Sequence, residues 1–228
     1  MSLKGRIESL TGFTVATMDA DRWLEAGAEE IINLLPRPCL FTVSKIVQDD
    51  GSGAAVSSCR LVGAHKDGRP AREVSAARKA ELTDSGSILQ ATAFRPAAYR
   101  EAGKVFVEPG GGTVEVAEYP TGIDSGSDDR VDGLPDDTQR LVILYAAQQA
   151  IAAELHQMRV ELKGSYGDFD MAFDDDDSEM AEVALGKLRE DLREDAERHN
   201  SLVEQSQLLQ QQYQSGIQAL VSQYQPAS

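Results

Sequence analysis

The sequence predicts an α+β protein: a bundle of about three helices, an antiparallel β domain inserted between the first and second, and a long C-terminal helix. Three observations carry this. Apolar residues recur every three to four positions near the start and again from about residue 135 onward, which is the helical period. Between about Leu40 and Tyr119 the period falls to two and Gly, Pro and Asp interrupt it at short intervals, as in antiparallel strands. From Ser178 to Tyr224 there is no proline, and the only glycines are Gly186 and Gly216. A continuous helix there would reach about 70 Å at ~1.5 Å per residue. The expected segments are 1–39 (helical), 40–120 (β insertion), 121–163 (loop and second bundle helix) and 164–228 (acidic loop and long helix).

Taken in order, Leu3 to Leu10 forms a short helix ended by Thr11-Gly12. Asp19 reads as the N-cap of the next, in which Trp23, Leu24, Gly27, Ile31 and Leu34 share one face. Pro36 and Pro38 stop it. Phe41 to Val47 alternates like a strand, and Val56 to Lys66 follows. Asp67-Gly68 is a two-residue hairpin signal, with Arg69 to Val74 as the returning partner. Ser75 to Asp84 reads as a short helix or turn, and Ser87 to Thr92 and Ala97 to Glu101 as short strands. Ala102-Gly103 turns the chain into Lys104–Glu108, and Pro109 with Gly110, Gly111 and Gly112 turns it into Thr113–Tyr119. The expected topology is a β-meander. After a polar loop, Pro135 suits the first helical position, with Asp136 and Asp137 at the positive end of the dipole. Leu141, Leu144, Tyr145, Gln148, Ile151, Ala152 and Leu155 make an apolar stripe to about Lys163, beside Ala146, Ala147, Ala150 and Ala153. Gly164 to Asp177 is expected as a loop, with Ser178 capping the last helix.

Composition narrows the function classes. The 228 residues are 41% hydrophobic, enough for a core, and carry a net charge of −16. That charge argues against a protein that wraps phosphates and against binding to an anionic membrane. No stretch approaches the ~20 apolar residues of a membrane span. The opening residues lead into no apolar region, so no secretory leader is expected. Cys39 and Cys59 are too few for a disulfide scaffold and read as buried thiols in a reducing compartment, with a single disulfide or a reactive thiol as the alternative.

The charge is concentrated. Asp168 to Arg198 holds thirteen Asp or Glu against four Lys or Arg, a net of nine negative charges. Three readings stand. The run is a solvated acidic loop and helix face. Or Asp168 to Phe173, which begins like a Ca²⁺-binding loop but lacks an oxygen ligand at its fifth position and glycine at its sixth, holds a cation. Or Asp174, Asp175, Asp176, Asp177 and Glu179 line a channel whose repulsion keeps passing DNA from sticking.

Catalytic signatures are missing from the sequence. His65, His156 and His199 fall in three separate elements without a metal-ligand spacing. There is no GxSxG nucleophile turn and no GxxxxGK[ST] phosphate loop. Glu25, Glu29 and Glu30 have no Glu-x-x-His partner for a di-iron site. The expectation is a protein that is not an enzyme and has no cofactor. The amphipathic end Tyr213, Ile217, Leu220, Val221 and Tyr224 reads either as packing within the chain or as an anchor laid in another protein's groove.

Three runs carry a resemblance: DRWLEAGAEEIINLLP (Asp21 to Pro36), YREAGKVFVEPGGGTVEVAEYPTG (Tyr99 to Gly122) and LPDDTQRLVILYAAQQAI (Leu134 to Ile151). Together with the order helix, β insertion, helix, they resemble the head-to-tail connector proteins of tailed bacteriophages, also called adaptor or neck proteins, over roughly residues 1–160. The resemblance implies a virion protein assembled in the bacterial cytoplasm. It implies homo-oligomeric rings, commonly of twelve subunits, that sit below the portal protein, touch neighbouring tail or neck proteins and pass genome DNA without specific binding. The C-terminal segment would dock on the portal. The acidic stretch and the glutamine-rich helix depart from the pattern. Another virion part, such as a tail terminator or tube protein, and a non-viral helical protein-binding module are the alternatives.

Overall fold

The computed structural model describes residues 1–41, 43–56, 58–171 and 178–223. These form six α-helices and two four-stranded sheets. The class is α+β, with a long C-terminal helix, as the sequence predicts. The chain groups into two compact units, one of Met1–Gly27, Ile123–Arg130 and Gln139–Ala219, the other of Ala28–Gly122, Val131–Thr138 and Leu220–Ser228.

In the first unit, α1 (Leu3–Thr11) starts with Ser2, whose side chain accepts from the Gly5 amide, and ends at Gly12, whose amide donates to the Glu8 carbonyl. Leu3 and Ile7 are fully buried. α2 (Thr17–Leu34) begins two residues before Asp19, so Asp19 lies in the first turn rather than at the cap. Its carboxylate still meets the positive end of the helix. The loop from Ile123 to Arg130 is tied down by main-chain bonds from Leu3 to Asp128 and from Lys4 to Ser125, and Asp21 accepts from the Ser125 amide.

α5 (Asp136–Met171) and α6 (Ser178–Gln223) are 36 and 46 residues long, about 54 and 69 Å. They form an antiparallel pair. Glu154 meets Arg198, Tyr145 meets Tyr213, and Leu141 meets Gly216, so partner numbers rise on one helix as they fall on the other. Ala146, Ala147 and Ala150 are buried, which lets the backbones approach. Gly216 takes this furthest: a Cβ there would lie 2.3 Å from Leu141 Cδ2. Gly27 of α2 does the same toward Tyr145, at 2.8 Å. Two expectations about α5 are corrected. The Pro135 carbonyl accepts from the Thr138 amide, so Pro135 stands at the cap and the helix begins after it. The helix also passes the expected end at Lys163 and continues to Met171. Gly164 and Gly167 cost about 1 kcal/mol each in a helix, and no proline forces a stop. Residues 172–177 lie outside the described residues.

In the second unit the two prolines both end α2 and start α3 (Arg37–Leu40), where Pro36 is the cap. The Arg60 guanidinium donates to the carbonyls of Ile32, Asn33 and Leu35, which the end of α2 would otherwise leave open. The strands are β1 (Ser44–Asp49), β2 (Ala54–Ala55), β3 (Cys59–Lys66), β4 (Arg69–Pro70), β5 (Arg72–Glu73), β6 (Ala97–Glu101), β7 (Lys104–Glu108) and β8 (Gly112–Glu118). Their order is β1-β8-β3-β4 in one sheet and β2-β7-β6-β5 in the other. The expected meander is thereby corrected. β8 inserts between β1 and β3, far apart from it in sequence. Val56, Cys59, Val105, Val107, Val114 and Val116 from both sheets share one apolar core.

Both two-residue turns hold as expected. Asp67-Gly68 has φ +50° and +74°, Ala102-Gly103 φ +49° and +74°, the positive pair of a type I′ hairpin. Arg69 to Val74 serves two sheets: Arg69–Pro70 pairs with β3, then Arg72–Glu73 runs parallel to β6. A short helix, α4 (Lys79–Thr83), follows a 3₁₀ turn at Ala76–Arg78. Ser87 to Thr92 is not a strand. Asp84 and Ser87 capture the nearby amides of Gly86 and Leu89 with their side chains, and local turns win over pairing.

A buried carboxylate fixes the corner between the sheets. Asp49 Oδ1 accepts from the amides of Gly51 and Gly53, each at 2.8 Å, and Oδ2 from the amide of Val107 at 2.7 Å. Gly111 has φ +84°, and a Cβ there would lie 2.4 Å from the Asp49 carbonyl oxygen. Only glycine satisfies both conditions.

Candidate interaction surface

The C-terminal anchor residues separate. Tyr213 and Leu220 are buried, at 9% and 6% exposure. The Tyr213 ring lies 6.1 Å from that of Tyr145, and one turn on, Gly216 sits against Leu141. Tyr213 and Leu220 are therefore covered within the chain. Apolar side chains at helical spacing need cover, and α5 supplies it for Tyr213. Ile217 and Val221 are half-buried. Tyr224 lies outside the described residues.

The channel-lining candidates Asp174, Asp175, Asp176 and Asp177 lie outside the described residues. Glu179 falls in the first turn of α6. Of the calcium-like run, Asp168 and Asp170 belong to the α5 backbone. Among the described residues no group of three His, Cys, Asp or Glu could hold a metal ion.

Further along α6 a row takes shape. Glu190, Glu194, Glu197 and Glu204 are exposed. Their spacing of 4, 3 and 7 places them in one line along the helix. Leu208 continues it, eighteen residues and five turns from Glu190, with 54% of its surface exposed. The buried residues Leu202, Leu209 and Tyr213 lie about a third of a turn away at 100° per residue. Of the described side chains from Gly186 to Asn200, only Asp195 and His199 are even half-buried. Arg193 pairs with Glu197 at 3.2 Å, an exposed pair of slight worth.

One stretch of the β domain has the opposite sign. From Arg60 to Lys104 nine Lys or Arg stand against five Asp or Glu, a net of +4 within a chain of −16. The loop from Asp84 to Pro96 presents Ile88 at 92% exposure and Phe94 at 75%. Arg69 covers one face of Phe94, its Cζ 4.6 Å from the ring centroid, and Arg95 beside it is exposed. The loop is nevertheless fixed. The Ala91 amide donates to Leu82, Thr92 and Arg95 exchange two main-chain bonds, and the Arg72 guanidinium donates to the Leu89 carbonyl. Leu82, Ala91 and Ala97 form a small core beneath it. Sequence reasoning misses this surface because Ser87 to Thr92 reads as a short strand. The signal that could have found it is Asp84-Ser85-Gly86, a turn cluster ahead of an isolated Ile.

Both thiols are buried and neither is in a disulfide. Cys59 Sγ donates to the Val56 carbonyl at 3.1 Å, and burial pushes its pKa above the ordinary value, away from nucleophilic use. His65 lies 3.7 Å from Glu115, while His156 is exposed and His199 half-buried. No described helix is long and apolar enough to cross a membrane. Compared with known proteins, the chain matches no family model and no curated protein.

Proposed function

We propose that this chain is a structural subunit of an oligomeric ring at the head-to-tail junction of a tailed bacteriophage, without catalytic chemistry of its own. The three sequence runs that resemble connector proteins support this reading. The observation that carries it is the stretch of α6 from Gly186 to Asn200, where every described side chain except Asp195 and His199 is exposed. A helix whose described side chains lie open to solvent over about four turns gains little from them within its own chain, and a neighbouring subunit is the cover such a helix takes. Sister subunits, the portal protein and neighbouring tail or neck proteins are the partners. Asp174 to Asp177 and Glu179 would face the passage, where their charge keeps DNA sliding. Portal docking would fall to Ile217, Val221 and Tyr224, since Tyr213 and Leu220 are engaged in the subunit.

Mass measured by light scattering, alone and with purified portal rings, tests the reading. The expected result is a particle of several hundred kDa in at least one condition. A stable 24.7 kDa monomer in both would reject it. Val221→Glu is expected to lose portal binding while the subunit keeps its melting temperature; retained binding would reject the docking assignment.

A further inference from the structure

The positive stretch of the β domain and the glutamate line of α6 are surfaces of opposite sign on the same chain, and each has exposed apolar side chains beside its charges. On one side Phe94 and Ile88 stand out from a loop held by its own main-chain bonds, with Arg69 and Arg95 around Phe94. On the other, Leu208 ends a line of four exposed glutamates. A fixed loop loses little conformational freedom on docking. Apolar side chains rimmed by charge are the usual build of a contact site. The occupant follows from the signs: a loop of positive surroundings needs a negative partner that also offers an apolar foothold, and α6 of a second copy offers both. A nucleic acid would supply the negative charge without an aliphatic foothold, and the remaining chain, at −20 outside the segment Arg60 to Lys104, would repel it.

We infer that the 84–96 loop of one copy docks on the outer line of α6 of the next, Phe94 and Ile88 covering Leu208 while Arg69 and Arg95 meet Glu204 and Glu197. This rests on the ring reading and assigns the contact that builds the ring. The contact joins two different patches, so it is heterologous, and a rotation that closes makes a ring.

Charge exchange tests it. Self-association of the full chain is measured by sedimentation at low and moderate salt, with circular dichroism checking the fold. Phe94→Ala with Ile88→Ser, and separately Leu208→Asp, are each expected to raise the dissociation constant at least about tenfold, the size of a hot-spot truncation. Arg69→Glu with Arg95→Glu does the same, and so does Glu197→Arg with Glu204→Arg. Combining the two charge reversals in one chain restores association. All these side chains are exposed, so the subunit keeps its fold. If the parent assembles and the loop variants assemble equally well, or the combined reversal restores nothing, this contact is wrong while the ring reading stands. If the parent stays monomeric with and without portal, both fall. Binding of duplex DNA by the parent that is lost in Arg69→Glu/Arg95→Glu, with association unchanged, also overturns the contact.

Discussion

At the scale of single residues, Asp49 carries most. Its carboxylate takes three main-chain amides, one of them the buried amide of Val107. Asp49→Ala leaves the buried Val107 amide without a partner and turns the part-buried amides of Gly51 and Gly53 over to water. The expected loss is about 3 kcal/mol, or roughly 6–12 °C at 2–4 °C per kcal/mol for a chain of this size. Thermal melts check it, and a loss below about 1 kcal/mol would mean water replaces the carboxylate. Cys59 makes a prediction about pH. Burial raises its pKa above the ordinary 9.0. As pH rises, the unfolded chain loses the proton first, and the folded chain holds more protons between the two values. Stability is therefore fully present below about pH 9 and falls above it. Urea midpoints at pH 8 and pH 10, with reductant present, should drop further for the parent than for Cys59→Ala. Equal drops would remove the thiol as the cause.

At the scale of elements, two glycines of α6 make opposite predictions. Gly186 has nothing within 4 Å of an added Cβ, so Gly186→Ala should raise stability by about 0.5–1 kcal/mol through helix propensity alone. Gly216 abuts Leu141, and Gly216→Val should cost about 1–3 kcal/mol by overpacking. Thermal melts of the two variants should move in opposite directions, and a common direction would mean that the pairing of α5 with α6 does not hold Gly216 close. What was legible in the sequence follows the range of the forces involved. The hairpins at Asp67-Gly68 and Ala102-Gly103 were readable because positive φ is a local demand that only a few residues meet. The helical stripes were readable because periodicity is local too. The order β1-β8-β3 was not, because it depends on which strands share a core, and Val47, Val114 and Leu61 carry no label of their partner. The end of α5 was not readable either, since Gly164 and Gly167 weaken a helix without forbidding it. The candidate surface was half legible: the acidic charge is plain in composition, but the exposure of Ile88, Phe94 and Leu208 depends on what the fold leaves uncovered.

At the scale of the whole molecule, charge is uneven: Arg60 to Lys104 in the β domain carries a net of +4, and Asp168 to Arg198 a net of nine negative charges. Attraction between such surfaces reaches only about 8 Å at physiological salt and about 30 Å at 0.01 M. Association measured by sedimentation should therefore weaken steadily from 0.01 to 0.5 M salt. Association that strengthens with salt would point to an apolar interface elsewhere.

The glutamate line on α6 has a further effect, on what the protein avoids. Two copies laid α6 against α6 would bring like charges face to face along about 20 Å of helix, and each such meeting is penalised. The molecule is thus discouraged from embracing its twin symmetrically. Directional growth, each subunit presenting a different side to the one before and the one after, is the arrangement that this self-aversion leaves open.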